Sequence, residues 1–174
     1  DEGLHYPPLD LLALLCDSVA LGGNVLLNFG PQGDGTFSKY TQAQLNAIGQ
    51  WLKANGEAIY GSAPGPFGRR SWGVSTVKGS EVYLIIFRPT ATMNIRGLDN
   101  VVKRARLLEN GAELNFTQRG SLLQINLPEI NNLPAVVALN VEGSPAADDT
   151  GIAQEGDGSI VLAANSAQLC SSPG

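Results

Sequence analysis

Gly22-Gly23-Asn24-Val25-Leu26-Leu27-Asn28-Phe29-Gly30-Pro31 is a short, nearly continuous apolar run closed at both ends by turn residues. Runs of this length with apolar side chains on successive positions predict a strand, here over 24–29, that is covered on both faces, as strands of parallel sheets are. Such a strand needs neighbours on either side, and the surrounding sequence supplies none. The chain is therefore expected to be a piece of something larger, or to pair with another chain that provides the rest of the sheet.

Upstream, Leu12, Leu15 and Val19 recur at helical spacing, with Leu11 and Cys16 widening the stripe, which predicts a helix over 9–21. Pro7 and Pro8 are its start signals, and Gly22-Gly23 ends it. Downstream, the glycine-rich stretch 30–36 reads as a loop, and Thr41 followed by Gln44 reads as a capping box opening a second helix with Leu45, Ile48 and Leu52 on its buried face. Asn55-Gly56 is expected to close that helix in a left-handed turn. Past Pro64-Gly65-Pro66 the period changes from helical to alternating, and strands are predicted over 71–77, 81–88, 92–95, 102–107, 114–119, 122–127 and 135–141. Turns fall at Lys78-Gly79, Asn110-Gly111 and Arg119-Gly120, the pattern of an antiparallel sandwich. Residues 144–154 are small and acidic, as in a linker, and a strand-like run follows at 159–163.

Composition narrows the function. With 174 residues, 43% of them hydrophobic, the chain has ample material for a core. The net charge of -5 and a single basic cluster, Lys103, Arg104 and Arg106, argue against nucleic-acid binding and leave that cluster as a solvated strand face. Cys16 and Cys170 stand at opposite ends and His5 is the lone histidine, so neither a disulfide framework nor a metal site is expected. The apolar run over 9–21 is too short to span a bilayer, and it carries Asp10 and Asp17. Asn115-Phe116-Thr117 is a sequon that would take a glycan only in a secretory host.

The run Gly22 to Pro31, with Gly33-Asp34-Gly35-Thr36 after it, resembles the late-barrel signature of glycoside hydrolase family 29, the α-L-fucosidases. Ala47-Ile48-Gly49-Gln50-Trp51-Leu52 and Asn55-Gly56-Glu57-Ala58-Ile59-Tyr60-Gly61-Ser62 resemble, in order, that family's last barrel helix and its connection into a C-terminal sandwich. The likeness continues more loosely through Lys78-Gly79-Ser80-Glu81-Val82-Tyr83 and 122–128. It implies an α/β part followed by an all-β part: the last βα unit or units of a (β/α)8-like barrel over 1–63 and a C-terminal antiparallel β-sandwich over 64–143. Residues 144–174 would be a linker and the start of a further β-rich module, for which Asp157-Gly158-Ser159-Ile160 looks like the opening. The resemblance also implies a retaining glycosidase acting on fucosylated oligosaccharides or glycoconjugates without a cofactor, and a secreted, periplasmic or lysosomal setting. The nucleophile and the acid/base of such an enzyme are two carboxyl groups about 5 Å apart; the family's pair falls upstream of the matched region, so no catalytic residue is expected in this chain. A companion polypeptide would supply the rest of the barrel. The alternative is a sandwich that binds glycans, or merely buttresses a barrel, without chemistry. Exposure of 22–31, or its antiparallel pairing with the later half of the chain, would count against the resemblance.

Two residues carry a possible site role. Asn28, near the end of the expected strand, reads either as an amide that orients a catalytic carboxylate or as one that caps the turn into Gly30-Pro31. Trp72, beside Arg69 and Arg70, reads as an exposed platform for a pyranose ring or as an interdomain contact. Asn24 is expected to be structural, Asp34 to serve its turn, Trp51 to fasten the barrel end to the sandwich, and Tyr60 to pack where the two meet. Asp1 and Glu2 would lie on a loop at the barrel mouth, with nothing in their context to assign them to sugar.

Overall fold

The computed structural model describes residues 6–147. His5, Asp1, Glu2, Cys170 and the strand expected at 159–163 lie outside them, as does most of the proposed 144–174 module. Helix α1 spans Pro8–Ala20 with Pro8 in its first turn, where a missing N–H costs nothing because that donor has no intrahelical partner. Its end is a Schellman motif: Gly22 takes φ 77, its N–H reaches Val19 O at 3.0 Å, and Gly23 N–H reaches Ser18 O at 2.7 Å.

Helix α2 spans Lys39–Asn55 and begins a turn earlier than the Thr41–Gln44 box suggests. Ser38 is the N-cap, its Oγ accepting from Thr41 N–H at 3.1 Å. Gln44 instead donates its amide to Tyr6 O. The buried stripe is Gln44, Ile48, Trp51 and Asn55, while Leu45 is exposed, so the helix is rotated by about one position from the expected face. Trp51 accounts for that phase: its indole Nε1–H donates to Pro134 O at 2.7 Å, in the segment before the last strand of the sandwich. The expected left-handed turn at Asn55-Gly56 does not form. Gly56 has φ -61, and the chain tightens into a 3-10 turn over Gly56–Ala58 before Gly61 takes φ 68.

All seven strands expected between residues 71 and 141 are present: β2 (Gly73–Lys78), β3 (Glu81–Ile86), β4 (Thr92–Arg96), β5 (Val102–Leu107), β6 (Phe116–Arg119), β7 (Leu122–Asn126) and β8 (Ala135–Val141), preceded by a two-residue β1 (Ala63–Pro64). Gly79, Gly111 and Gly120 all take positive φ at the three expected turns. The strands form a five-stranded sheet in the order β1-β2-β3-β8-β5 and a three-stranded sheet in the order β4-β7-β6, antiparallel throughout.

The larger sheet is covered on both faces. Val82, Leu84 and Ile86 of β3, with Val137, Leu139 and Val141 of β8, meet Met93, Ile95, Leu123 and Ile125 of the smaller sheet. The intervening Tyr83, Ile85, Val136 and Ala138 meet Leu12 and Cys16 of α1 and Ile48 and Trp51 of α2. The period-2 alternation of side chains thus feeds two cores from one strand. Each fully buried aliphatic side chain here contributes about 1.5–3 kcal/mol.

β2 enters the sheet at Gly73, where φ is 152 and a Cβ would sit 1.9 Å from Ile85 O. Gly73→Ala is expected to lower unfolding free energy by more than about 3 kcal/mol, measured by urea titration. Trp51→Phe, which leaves Pro134 O without its buried donor, should cost about 1–3 kcal/mol in the same assay.

Candidate functional site

Leaving α1, residues 24–30 belong to no helix and form no ladder with any described strand, and their exposure alternates from one residue to the next. Asn24, Leu26 and Asn28 face outward, whereas Val25, Leu27 and Phe29 are half-buried, and Leu27 packs against the helix-side core. Leu26 is 94% exposed. The strand expected over 24–29 is therefore corrected. One face lies against the chain and the other is open, because among the described residues no strand runs beside it. The exposure that would count against the resemblance is thus observed, whereas the other contrary sign, pairing with the later half of the chain, is absent among the described residues, so the family is decided by sequence identity and not by burial of this segment.

Asn28 lies on the open side with Leu26, and its amide makes no hydrogen bond among the described residues, so the turn cap expected of it is not formed. The following loop is held locally: Gly35 N–H reaches Gln32 O at 2.9 Å, and Asp34 Oδ1 accepts from Thr36 N–H at 3.0 Å and Thr36 Oγ1–H at 2.8 Å. Those two bonds, the backbone one first, hold the Asp34 carboxyl below its ordinary value. This is turn chemistry, as expected for Gly-Asp-Gly.

Trp72 is not a platform. It is 6% exposed, inside the sandwich core, with its ring edge-on to Phe67 at 6.1 Å. Trp72 lies in the bend just before β2 begins at Gly73, and its ring turns inward between the sheets. Tyr60, expected at the junction, is 62% exposed. Trp51 does join helix to sandwich, through Pro134. Cys16 is a buried free thiol whose pKa is pushed up to about 12, by desolvation first and by Asp17 second.

Two acids converge on one cation near the helix–sandwich junction. Glu57 Oε1 accepts from Arg106 Nη2 at 2.8 Å and from Tyr83 Oη–H at 2.8 Å, and Glu81 Oε2 lies 3.9 Å from the same guanidinium. Partial burial opposes ionisation of Glu57, but the Tyr83 and Arg106 hydrogen bonds and the Arg106 charge outweigh it, so its pKa falls below the ordinary value. Tyr83 is shifted upward by burial and by Glu57. With an arginine between them, these carboxylates clamp the 56–58 turn onto the sheet rather than flank a bond to be cleaved. Glu57 lies inside a motif quoted above, yet its role has no sequence signal, since Tyr83 and Arg106 reach it only through sheet pairing. The basic cluster is paired as a strand face would be: Lys103 with Glu142 at 3.5 Å, Arg104 with Glu113, and Arg106 with Glu57. Among the described residues no group of three or more His, Cys, Asp or Glu side chains is placed to hold a metal, and no helix is long and apolar enough to cross a membrane.

Two helices and an outward-facing segment on one face of a two-sheet antiparallel sandwich define the class: the closing end of a (β/α) barrel joined to a β-sandwich, as in glycoside hydrolases. Residues 4–57 match the family model for α-L-fucosidase. Human tissue α-L-fucosidase is 44% identical over 82 residues, covering 44% of this chain and 17% of that protein. Human plasma α-L-fucosidase is 33% identical over 137 residues, covering 72% of this chain and 29% of that protein. Among solved structures, α-L-fucosidase isoenzyme 1 from Paenibacillus thiaminolyticus superposes with a TM-score of 0.72 at 31% identity, covering 80% of this chain and 35% of that one. The α-L-fucosidase from Vibrio sp. strain EJY3 superposes with a TM-score of 0.76 at 26% identity, covering 84% of this chain and 28% of that one. The chain belongs to the α-L-fucosidase family, glycoside hydrolase family 29. It spans less than a third of the length of these two human relatives.

The lowered Glu57 pKa makes a pH prediction. A carboxylate depressed by folding stabilises the fold above its unfolded pKa, and that contribution is lost as pH falls through the folded value. Urea unfolding of the parent chain should therefore weaken from neutral pH down into the acid range. Glu57→Gln should start lower at pH 7 and show a shallower decline.

Proposed function

We propose that this chain is part of a retaining α-L-fucosidase that hydrolyses terminal α-L-fucosyl linkages of fucosylated glycans by double displacement, with both catalytic carboxylates outside it. The observation that carries the proposal is the family match over 4–57, which includes the outward-facing 22–31 segment. In this reading residues 1–63 close the catalytic barrel, 64–143 form the sandwich that buttresses it, and 144–174 lead into a further β-rich module. A companion polypeptide lays its staves along the open side of 24–30, where Leu26 offers apolar surface and the backbone has hydrogen-bonding groups that no described residue pairs. Asn28 lies on that same open side, near the end of the stave where barrel enzymes assemble their sites, and orients a carboxylate contributed by the companion. The protein would act in a secreted, periplasmic or lysosomal setting. The competing reading, a sandwich that binds glycan without chemistry, has less support once Trp72 is inside the core.

The mechanism divides the work. The nucleophile and acid/base, about 5 Å apart across the scissile bond, do the chemistry. The described acids of this chain are otherwise engaged where they converge, as Glu57 and Glu81 are by Arg106. What this chain contributes is the rigid double-faced sheet on which the last helix is fixed, and the stave that completes the barrel wall.

The chain alone should release no nitrophenol from a nitrophenyl α-L-fucoside above the uncatalysed rate. Mixing or co-expression with the preceding barrel polypeptide should restore release, and Asn28→Ala in that complex should lower kcat by roughly tenfold or more while leaving the complex assembled. Turnover by the chain alone would overturn the proposal.

A further inference from the structure

Asn115-Phe116-Thr117 is the one Asn-x-Ser/Thr triplet in the 174-residue sequence, and the structure sets it at the start of β6. Asn115 and Thr117 are exposed, whereas Phe116 between them is half-buried and packs against the sandwich core. Side chains alternate along a strand, so the asparagine and the threonine stand on the outer face while the phenylalanine anchors the backbone from the inner one. Asn115 O accepts from Asn126 N–H at 2.9 Å, which continues the β6–β7 ladder up to the asparagine. The Asn115 side-chain amide has no hydrogen-bond partner among the described residues, so a substituent on its Nδ2 displaces no bond there.

The surroundings suit a bulky polar group. Thr117 lies opposite Gln124, and Gln124 lies opposite Asn94, to which its amide donates at 3.1 Å. Thr92 and Asn126 form the next cross-strand pair, so the exposed face around the triplet is built of amides and hydroxyls, groups that pair readily with sugar hydroxyls. The opposite face of this sheet meets the larger sheet, whose far side carries α1 and α2. A group on Asn115 therefore projects away from both helices. β6 is also an edge strand, and an oligosaccharide at its start hinders a foreign strand from pairing with it. From this we infer that Asn115 is an N-glycan acceptor, its oligosaccharide lying over the outer face of the smaller sheet. The inference rests on the secreted or lysosomal setting proposed above. The co-reactant is a lipid diphosphate-linked oligosaccharide, brought to the chain by the host's oligosaccharide transferase. Asn115 Nδ2 forms a bond to the sugar C1 as the C1–O bond to the diphosphate breaks. The lipid diphosphate leaves with that electron pair, and the amide gives up one proton to it.

The test carries its own control. The full 174-residue chain is expressed in cultured animal cells with a cleavable secretion leader before it and a short flexible tag bearing a second sequon after it. Chains whose tag is glycosylated have met the transferase. In that pool the Asn115 peptide is read by mass spectrometry before and after treatment with the amidase that removes N-glycans and leaves aspartate. The majority of Asn115 should carry a glycan. Thr117→Ser should keep it, whereas Thr117→Ala and Asn115→Gln should each lose it. The glycosylated chain should unfold at a urea concentration no lower than its enzymatically deglycosylated form, because the substituent stands outside the fold. A majority of bare Asn115 among tag-glycosylated chains, or a glycosylated chain that unfolds at lower urea than the deglycosylated one, would overturn the inference. The readout is a covalent mark on this chain alone, so it succeeds or fails independently of fucosidase activity in a reconstituted barrel.

Discussion

The structure depends on one sheet whose central strands are buried on both faces. β3 and β8 pair in register from Glu81 against Asn140 to Ile86 against Ala135, and each sends alternate side chains into two different cores. Because Val82, Leu84 and Ile86 belong to the sandwich while Tyr83 and Ile85 belong to the helices, a slip of one residue would exchange the two sets and mismatch both interfaces at once. That constraint ties the position of α2 to the register of the sandwich. The Trp51 to Pro134 bond and the Glu57, Tyr83 and Arg106 cluster fasten the same junction at its polar points.

This coupling fixes α2 in place. The helix rests on a sheet stiffened from behind by a second one, the rigidity that the proposed barrel wall would need to hold carboxylates at a fixed separation. Three of the chain's acids serve structure: Asp34 on its loop, and Glu57 and Glu81 on Arg106. The open side of 24–30 is the complement of that rigidity, an edge with apolar surface and backbone groups that no described residue pairs.

Much of the fold was legible in the sequence because it is written in local chemistry. β4, β6 and β7 show the period-2 alternation, and the turns expected at Gly79, Gly111 and Gly120 each have a glycine that takes positive φ in the structure. The failures have a common cause in long-range contacts. The phase of α2 is set by Pro134, some eighty residues away, and periodicity alone favoured Leu45 and Leu52 over Gln44 and Asn55. The segment predicted to be covered on both faces was 24–29, yet the strands that are so covered are β3 and β8, which show that continuous apolar runs mark double burial without revealing strand direction. Trp72 was misjudged because exposure at the start of a strand depends on how the chain enters the sheet, here through Gly73. For the candidate site, the motif around Asn28 was readable, but the convergence of Glu57, Tyr83 and Arg106 exists only once the sheets are assembled.

The proposed role of 24–29 is that of a barrel stave whose partners the described residues do not supply. Amide hydrogen exchange of those residues, followed in the chain alone and again after addition of the preceding barrel polypeptide, addresses it most directly. The account requires fast exchange in the isolated chain, with β3 and β8 protected as an internal standard, and strong protection of 24–29 in the complex. Protection of 24–29 in the isolated chain, or exchange that the barrel polypeptide leaves unchanged, would contradict it.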